Sequence, residues 1–196
     1  MRNLFVIFNC IRCLPHIALF YLHKNKKTMR ADVARWLQIF GKDYSNVFGF
    51  VYLLSFYPEF RNLFYYRVGF LQHFFKFLCP PMSTLYLYTP HIGEGLFIQH
   101  GFSTIINANS IGKNCWINQQ VTIGFTNNTD SPTLGDDVTV YAGAKVLGNV
   151  FIGNNSVVGA NAVVVKDVPS DCTVVGIPAK IIKRNGKPVG RVESVI

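Results

Sequence analysis

The hydrophobic pattern changes its period near residue 80. Before that point apolar residues recur at helical spacing: Val33, Trp36, Leu37 and Phe40 lie at offsets 0, 3, 4 and 7, which predicts a helix from Arg30 to Phe40 ended by Gly41. Residues 46–57 are almost wholly apolar. Pro58 then opens a segment, Glu59 to Leu78, in which Phe60, Phe64, Val68, Leu71 and Phe75 again mark one helix face until Pro80 and Pro81 stop it.

Beyond Pro81 the period becomes six. Ile92 and Ile98 are followed, after one additional residue, by Ile105, Ile111, Ile117 and Ile123; an eleven-residue interval then leads to Leu134, Val140, Val146, Ile152, Val158 and Val164. Six residues turn an α-helix through about 600°, so these positions cannot share one helix face. They can line the interior of a coil of short strands and tight turns, each repeat adding one branched side chain to a stacked column. Gly, Asn and Asp beside them supply the turn conformations. An antiparallel sandwich would instead show period-two alternation.

Composition sharpens the division at Pro80. The 196 residues are 49% hydrophobic and 15% charged, which fits one main folded domain with an appendage and excludes a disordered or collagen-like chain. The net charge is +9, and residues 1–80 hold eleven Lys/Arg against three acids, or +8. Phenylalanine follows the charge, with 13 of 17 before Pro80, whereas 13 of 16 glycines come after it. Bases interleaved with aliphatic and aromatic runs point to an anionic membrane surface in preference to nucleic acid. The run Leu4–Leu22 contains Arg12 and Pro15; a mid-span arginine costs about 2.5–3.5 kcal/mol, so an interfacial segment is expected over a transmembrane one. Lys24, Lys26 and Lys27 follow it where a signal peptide would have a small-residue cleavage site, and Met29 offers an alternative translation start. The five cysteines (10, 13, 79, 115, 172) suit neither a disulfide framework nor a zinc site; Cys10-x-x-Cys13 reads as plain thiols in a reducing compartment, and no metal is expected.

The ordered set Ile92-Gly-Glu-Gly-Leu-Phe-Ile-Gln-His-Gly101, Ile111-Gly-Lys-Asn-Cys-Trp-Ile-Asn-Gln-Gln-Val-Thr-Ile-Gly124, Ala142-Gly-Ala-Lys-Val-Leu-Gly-Asn149, Ile152-Gly-Asn-Asn-Ser-Val-Val-Gly-Ala-Asn-Ala162, Val165-Lys-Asp-Val-Pro169 and Val175-Gly-Ile-Pro-Ala-Lys180 resembles the hexapeptide-repeat acyltransferases of the serine acetyltransferase-like branch. Tyr57-Pro-Glu-Phe-Arg61 and Tyr65-Tyr-Arg67 also look like the stretch that precedes the repeats there. The resemblance implies a mainly β fold, a left-handed parallel β-helix with an N-terminal helical subdomain. Its expected parts are an apolar, basic extension 1–28, a helical subdomain 29–81, the β-helix 82–184 and a tail 185–196. It further implies acetyl-CoA-dependent O-acetylation in a homotrimer, without metal or covalent intermediate.

His100 matches the general base of that branch, and imidazole is the side chain suited to take a hydroxyl proton near neutral pH. Gln99 and Ser131 stand where true serine acetyltransferases carry an Asp and a His, and Leu85 stands at the place of the Asp that orients the base. These departures favour a hydroxyl of a sugar or bacterial cell-surface polysaccharide intermediate as acceptor. Serine O-acetyltransferase is the alternative, and a non-catalytic trimeric scaffold a third reading. Gln99, Asn118, Gln119, Phe125, Asn127, Asp130 and Ser131 are the candidate acceptor contacts, most of them in the loop that interrupts the repeat. Ala142, Gly143, Ala144, Gly159 and Ala160 match the small residues that let the pantetheine arm of acetyl-CoA approach, and Lys180, Lys183 and Arg184 are candidates for its phosphates. The expected place is the inner face of the bacterial cytoplasmic membrane, with peripheral membrane contact and no nucleic-acid partner.

Overall fold

The computed structural model describes residues 2–195, and the side chains of residues 5–190 and of Val195. The chain forms two compact units that divide between Ser83 and Thr84. The first is helical: α1 (Arg2–Arg12), α2 (Leu14–Leu22), α3 (Lys26–Ile39), α4 (Asn46–Phe56), α5 (Pro58–Val68), a 3-10 turn at Gly69–Leu71 and the one-turn α6 (Gln72–Phe75).

Helix α3 buries Val33, Trp36 and Leu37, the stripe its spacing predicts, with Trp36 edge-on to Phe60 at 5.1 Å between centroids. Two expectations change. The stretch expected as an extension, 1–28, packs into the helical unit from Val6 onward: Val6, Cys13, His16 and Phe20 are buried, and Phe20 stacks on Phe50 of α4 at 4.4 Å. Glu59–Leu78 is not one helix, because Gly69 takes φ +60° and ends α5, leaving Leu71 and Phe75 half-buried on a new axis. Cysteine 13 finds its partner far away in sequence, its Sγ lying 3.8 Å from that of Cys79. Arg67 donates to Asp32 through Nε at 2.9 Å and through a terminal nitrogen at 3.2 Å, both side chains buried. That pairing satisfies a carboxylate in the middle of the apolar stripe of α3, where an unpaired charge would be costly.

The second unit is a parallel β-solenoid of about five turns. Its strands are β1 (Leu85–Leu87), β2 (His91–Ile92), β3 (Phe97–Ile98), β4 (Thr104–Ile106), β5 (Ser110–Ile111), β6 (Trp116–Ile117), β7 (Thr122–Gly124), β8 (Thr133–Leu134), β9 (Thr139–Val140), β10 (Lys145–Leu147), β11 (Phe151–Ile152), β12 (Val157–Val158), β13 (Val163–Val164) and β14 (Cys172–Val175). Up to β13 every third strand stacks on its counterpart, and in the last coil the bridge between Ile152 and Val168 stands in for a second-sheet strand, so β1-β4-β7-β10-β13, β2-β5-β8-β11 and β3-β6-β9-β12-β14 make three parallel sheets, the walls of a triangular prism. Eleven of the twelve residues in the six-residue column are buried, from Ile92 to Val164.

The exception is Ile105, which is 41% exposed while its neighbour Ile106 is fully buried. Eight residues, not seven, separate Ile98 from the next inward position, and five separate Ile106 from Ile111. The total length of the interval is unchanged, but the irregularity is concentrated in one corner. There Phe102 and Ser103 align with the next coil, since Gln120 N–H donates to the Phe102 carbonyl at 3.0 Å just as Gly143 N–H donates to that of Gln119 at 3.1 Å. Ser103, Gln120, Gly143 and Asn161 all have positive φ at the equivalent turn position. His100 and Gly101 are therefore a two-residue excursion inserted before an otherwise regular turn.

Most of the expected tail 185–196, as far as Ser194, instead continues the third sheet. β15 (Lys180–Arg184) pairs antiparallel with β14, and β16 (Lys187–Ser194) with β15. Asn185 and Gly186, at φ +50° and +75°, make the two-residue turn between them. Asn-Gly between extended segments is a hairpin signal, and it is present in the sequence.

Candidate active site

The corner that joins the third sheet to the first carries most of the candidate residues. On successive coils it comprises Gln99 to Ser103, Asn118 to Gln120, Tyr141 to Ala144 and Gly159 to Ala162. His100 thus stands above Asn118 and Gln119, and further along the same edge come Ala142, Gly143, Ala144, Gly159 and Ala160. Three coils separate His100 from Ala160, about 14 Å at the spacing of adjacent strands.

His100 is exposed and has φ +64°, a left-handed conformation uncommon for a residue with a Cβ. The turn is held by the backbone, with Gly101 N–H donating to the Gln99 carbonyl at 2.8 Å and Phe102 N–H to the His100 carbonyl at 2.7 Å. Its imidazole makes no hydrogen bond or ion pair with the described residues of its own chain. Leu85, which the resemblance aligns with an orienting Asp, is buried in β1. The ring is presented to the outside with both nitrogens available.

Beside it, Gln99 is fixed. Its Oε1 accepts from Trp116 Nε1 at 3.2 Å and from Asn118 Nδ2 at 3.4 Å, and Trp116 is itself held edge-on to Phe97 at 4.7 Å. With Oε1 occupied from below, the Gln99 amide is left as a donor. Asn118 Oδ1 and Gln119 Oε1 are the complement, buried acceptor oxygens without a hydrogen-bond partner. Leaving such groups unmet costs about 1–3 kcal/mol each. Trp116 is the contributor that the sequence reading missed; only the stacking of β6 on β3 reveals that it reaches Gln99.

The interrupting loop lies on a different edge, between the first and second sheets, where it leaves the coil after β7 and returns at β8. Asp130 and Asn127 spend their oxygens on the loop itself. Asp130 accepts from the Thr126 hydroxyl and from the N–H groups of Thr126 and Asn127, and these hydrogen bonds hold its carboxyl below the ordinary range. Asn127 Oδ1 accepts from the Thr129 hydroxyl and from the N–H groups of Thr129 and Asp130. Ser131 donates to the Asn107 carbonyl at 3.2 Å, and Phe125 is exposed. Asn109, Thr129, Asp130, Ser131 and Asn149 line an open cleft of about 360 Å³. Within one chain, therefore, Gln99, Asn118 and Gln119 accompany His100, whereas Phe125, Asn127, Asp130 and Ser131 do not.

The candidate donor residues divide as well. Lys180 opens β15 opposite Val175, next to the His100 edge, but Lys183 and Arg184 pair with Thr173 and Cys172 at the other end of the strand. Gly143 and Gly159 have structural reasons of their own. Gly143 has φ +75°, and a Cβ on Gly159 would come within 2.6 Å of Val175 Cγ1. No group of three or more His, Cys, Asp or Glu able to hold a metal ion occurs among the described residues.

Residues 131–166 match the bacterial transferase hexapeptide family (six repeats). A curated serine acetyltransferase of Synechococcus elongatus is 52% identical over 99 residues, which cover 48% of this chain and 41% of that protein. The serine acetyltransferase of Staphylococcus aureus is 48% identical over 104 residues, covering 51% of this chain and 49% of the relative. The chain thus spans about half the length of the curated relatives it matches. Among solved structures, Neisseria gonorrhoeae serine acetyltransferase superposes with a TM-score of 0.63 at 27% identity, covering 81% of this chain and 66% of the other. Soybean serine acetyltransferase in complex with serine gives 0.65 at 27% identity, covering 80% and 70%.

Proposed function

We propose that this chain, whose residues 131–166 match the hexapeptide-repeat transferases, is an acetyl-CoA-dependent O-acetyltransferase in which His100 is the general base. The observation that carries the reading is the two-residue excursion at His100-Gly101. It sets an unencumbered imidazole at the head of the corner that bears the small residues Ala142, Gly143 and Ala160.

Acetyl-CoA is already activated, so the protein has to align an alcohol with the thioester carbonyl and handle one proton. His100 takes the hydroxyl proton as the oxygen attacks; the tetrahedral intermediate expels the CoA sulfur, which receives that proton back from the imidazolium. Ala142, Gly143 and Ala160 leave room for the pantetheine arm along the edge, and Lys180 stands at its far end for a phosphate.

Of the two acceptors expected from the sequence, the relatives favour L-serine over a sugar. In the serine reading the Gln99 amide donates to the carboxylate, and Asn118 Oδ1 and Gln119 Oε1, enclosed and unpartnered in the free chain, turn to accept from the ammonium. A sugar hydroxyl is the second reading, favoured by Gln99, Ser131 and Leu85, three places without the charged or imidazole groups that the resemblance associates with serine. The loop candidates lie on another edge, so a site using both sets takes them from two copies, in keeping with a homotrimer whose sites lie between chains.

Thiol release from acetyl-CoA, measured with L-serine and with a panel of hexoses, sialic acids and surface oligosaccharides, tests the proposal. Turnover is expected to fall by about 10²–10⁴ in His100→Ala. Unchanged turnover in that variant overturns the role of His100. Turnover with a glycan alone selects the second reading.

A further inference from the structure

Helices α1 and α2 turn an apolar face outward. Phe5, Ile7, Phe8, Ile11, Leu14 and Leu22 are 52–82% exposed, while Val6, Cys13, His16 and Phe20 from the same helical stretch are buried in the helical unit. On an isolated soluble protein an apolar face of this extent marks an interaction site. Arg12 is the only exposed charge between Phe5 and Leu22, and Lys24, Lys26, Lys27 and Arg30 follow directly, all exposed.

The charge around the face identifies what it fits. Among the described side chains before Ser83, seven Lys/Arg are exposed against one exposed carboxylate, Asp43, because Asp32 and Glu59 are buried. A second copy seated on this face would set cations against cations. An anionic lipid surface offers acyl chains to the aromatic and aliphatic side chains and phosphates to the lysines. No single described helix is long and apolar enough to cross a membrane, and α1 from Phe5 and α2 are bent by 74° at Arg12–Leu14. Each helix also has its opposite face committed to the helical core, which suits a segment lying in the interface plane.

We propose that the outward face of α1 and α2, with the lysines that follow it, docks peripherally on an anionic lipid bilayer. This surface shares no residue with the His100 corner, and it would bring the transferase to acceptors or partners held at the membrane.

Sedimentation of the full chain with phosphatidylcholine vesicles, with and without phosphatidylglycerol, tests this. Binding is expected only with phosphatidylglycerol, weakening as salt rises toward about 1 M, where screening is nearly complete. Phe8→Glu with Ile11→Glu should weaken it about tenfold or more, since each substitution exchanges an apolar anchor for a repelled charge. Lys24→Gln, Lys26→Gln and Lys27→Gln together should weaken it without touching the apolar face. Both variants should keep the helical circular dichroism and the thiol-release rate of the parent. Absence of vesicle binding by the parent, binding by both variants equal to the parent's, or a change of oligomeric mass in the Glu variant would each overturn the proposal, the last by showing that the face covers another copy of the chain.

Discussion

Truncating Ile106 and its neighbour Ile105 separates the observed phase of the β-helix from an uninterrupted column. Ile106 is fully buried and Ile105 is 41% exposed, although the simplest six-residue count points Ile105 inward. Ile106→Ala removes three buried carbons, each worth about 0.8 kcal/mol of transfer energy. Leu87 of β1 lies in register with Ile106 on one side and Ile123 of β7 on the other, so the cavity opens inside a hydrogen-bonded stack that cannot readily close on it. The transfer and cavity contributions together come to about 3–4 kcal/mol. Ile105→Ala leaves no enclosed void and should cost about 1 kcal/mol or less. Urea unfolding, followed by Trp116 fluorescence in a Trp36→Phe background at one protein concentration, reads both. With a slope of about 2 kcal/mol/M, the midpoint of Ile106→Ala should fall by about 1.5–2 M and that of Ile105→Ala by about 0.5 M at most. An equal or larger loss in Ile105→Ala would refute the phase assigned here. The two-residue excursion that displays His100 would go with it.

Two further perturbations address the helical unit. Burial, reinforced by the Arg12 and Arg61 charges, pushes the His16 imidazole from its ordinary 6.5 down to about 4, so the folded chain stays neutral there while the unfolded chain takes up a proton. The associated stability is fully present above about pH 6.5 and is lost as the pH falls toward 4, amounting to about 3 kcal/mol. Urea midpoints between pH 7 and 4 should therefore decline less steeply in His16→Phe than in the parent, and parallel curves would show that another group is responsible. Asp32→Asn removes the charge that the buried Arg67 guanidinium donates to and should destabilise the unit by about 3–5 kcal/mol, whereas Asp32→Leu combined with Arg67→Met should recover most of that loss in the same measurement.

How much of the structure is legible in the sequence varies with the range of the interactions involved. The column from Ile92 to Val164 is readable because each coil repeats one local instruction, an inward aliphatic residue followed by turn formers, and the stacking of coils then follows. The helix stripe Val33-Trp36-Leu37 is readable for the same reason. The hairpin from Lys180 to Ser194 is signalled locally by Asn185-Gly186, a cue that a search for six-residue spacing passes over. The break at Gly69 is hidden because a glycine inside an apolar stripe signals a helix end only when its φ turns positive.

The repeat, its interruption after Gly124 and the irregularity next to His100 are written in the order of residues, since all three are matters of spacing along the chain. Tertiary structure alone decided which residues share an edge. It put Gln99, Asn118 and Gln119 with His100 and sent Phe125, Asn127, Asp130 and Ser131 to another corner. It also drew Trp116 onto Gln99 and Cys13 onto Cys79. The physical reason is that a solenoid brings together residues one full coil apart. Membership of an edge depends on how many residues each corner consumes, and that is settled by stacking hydrogen bonds and turn conformation, which no local pattern records.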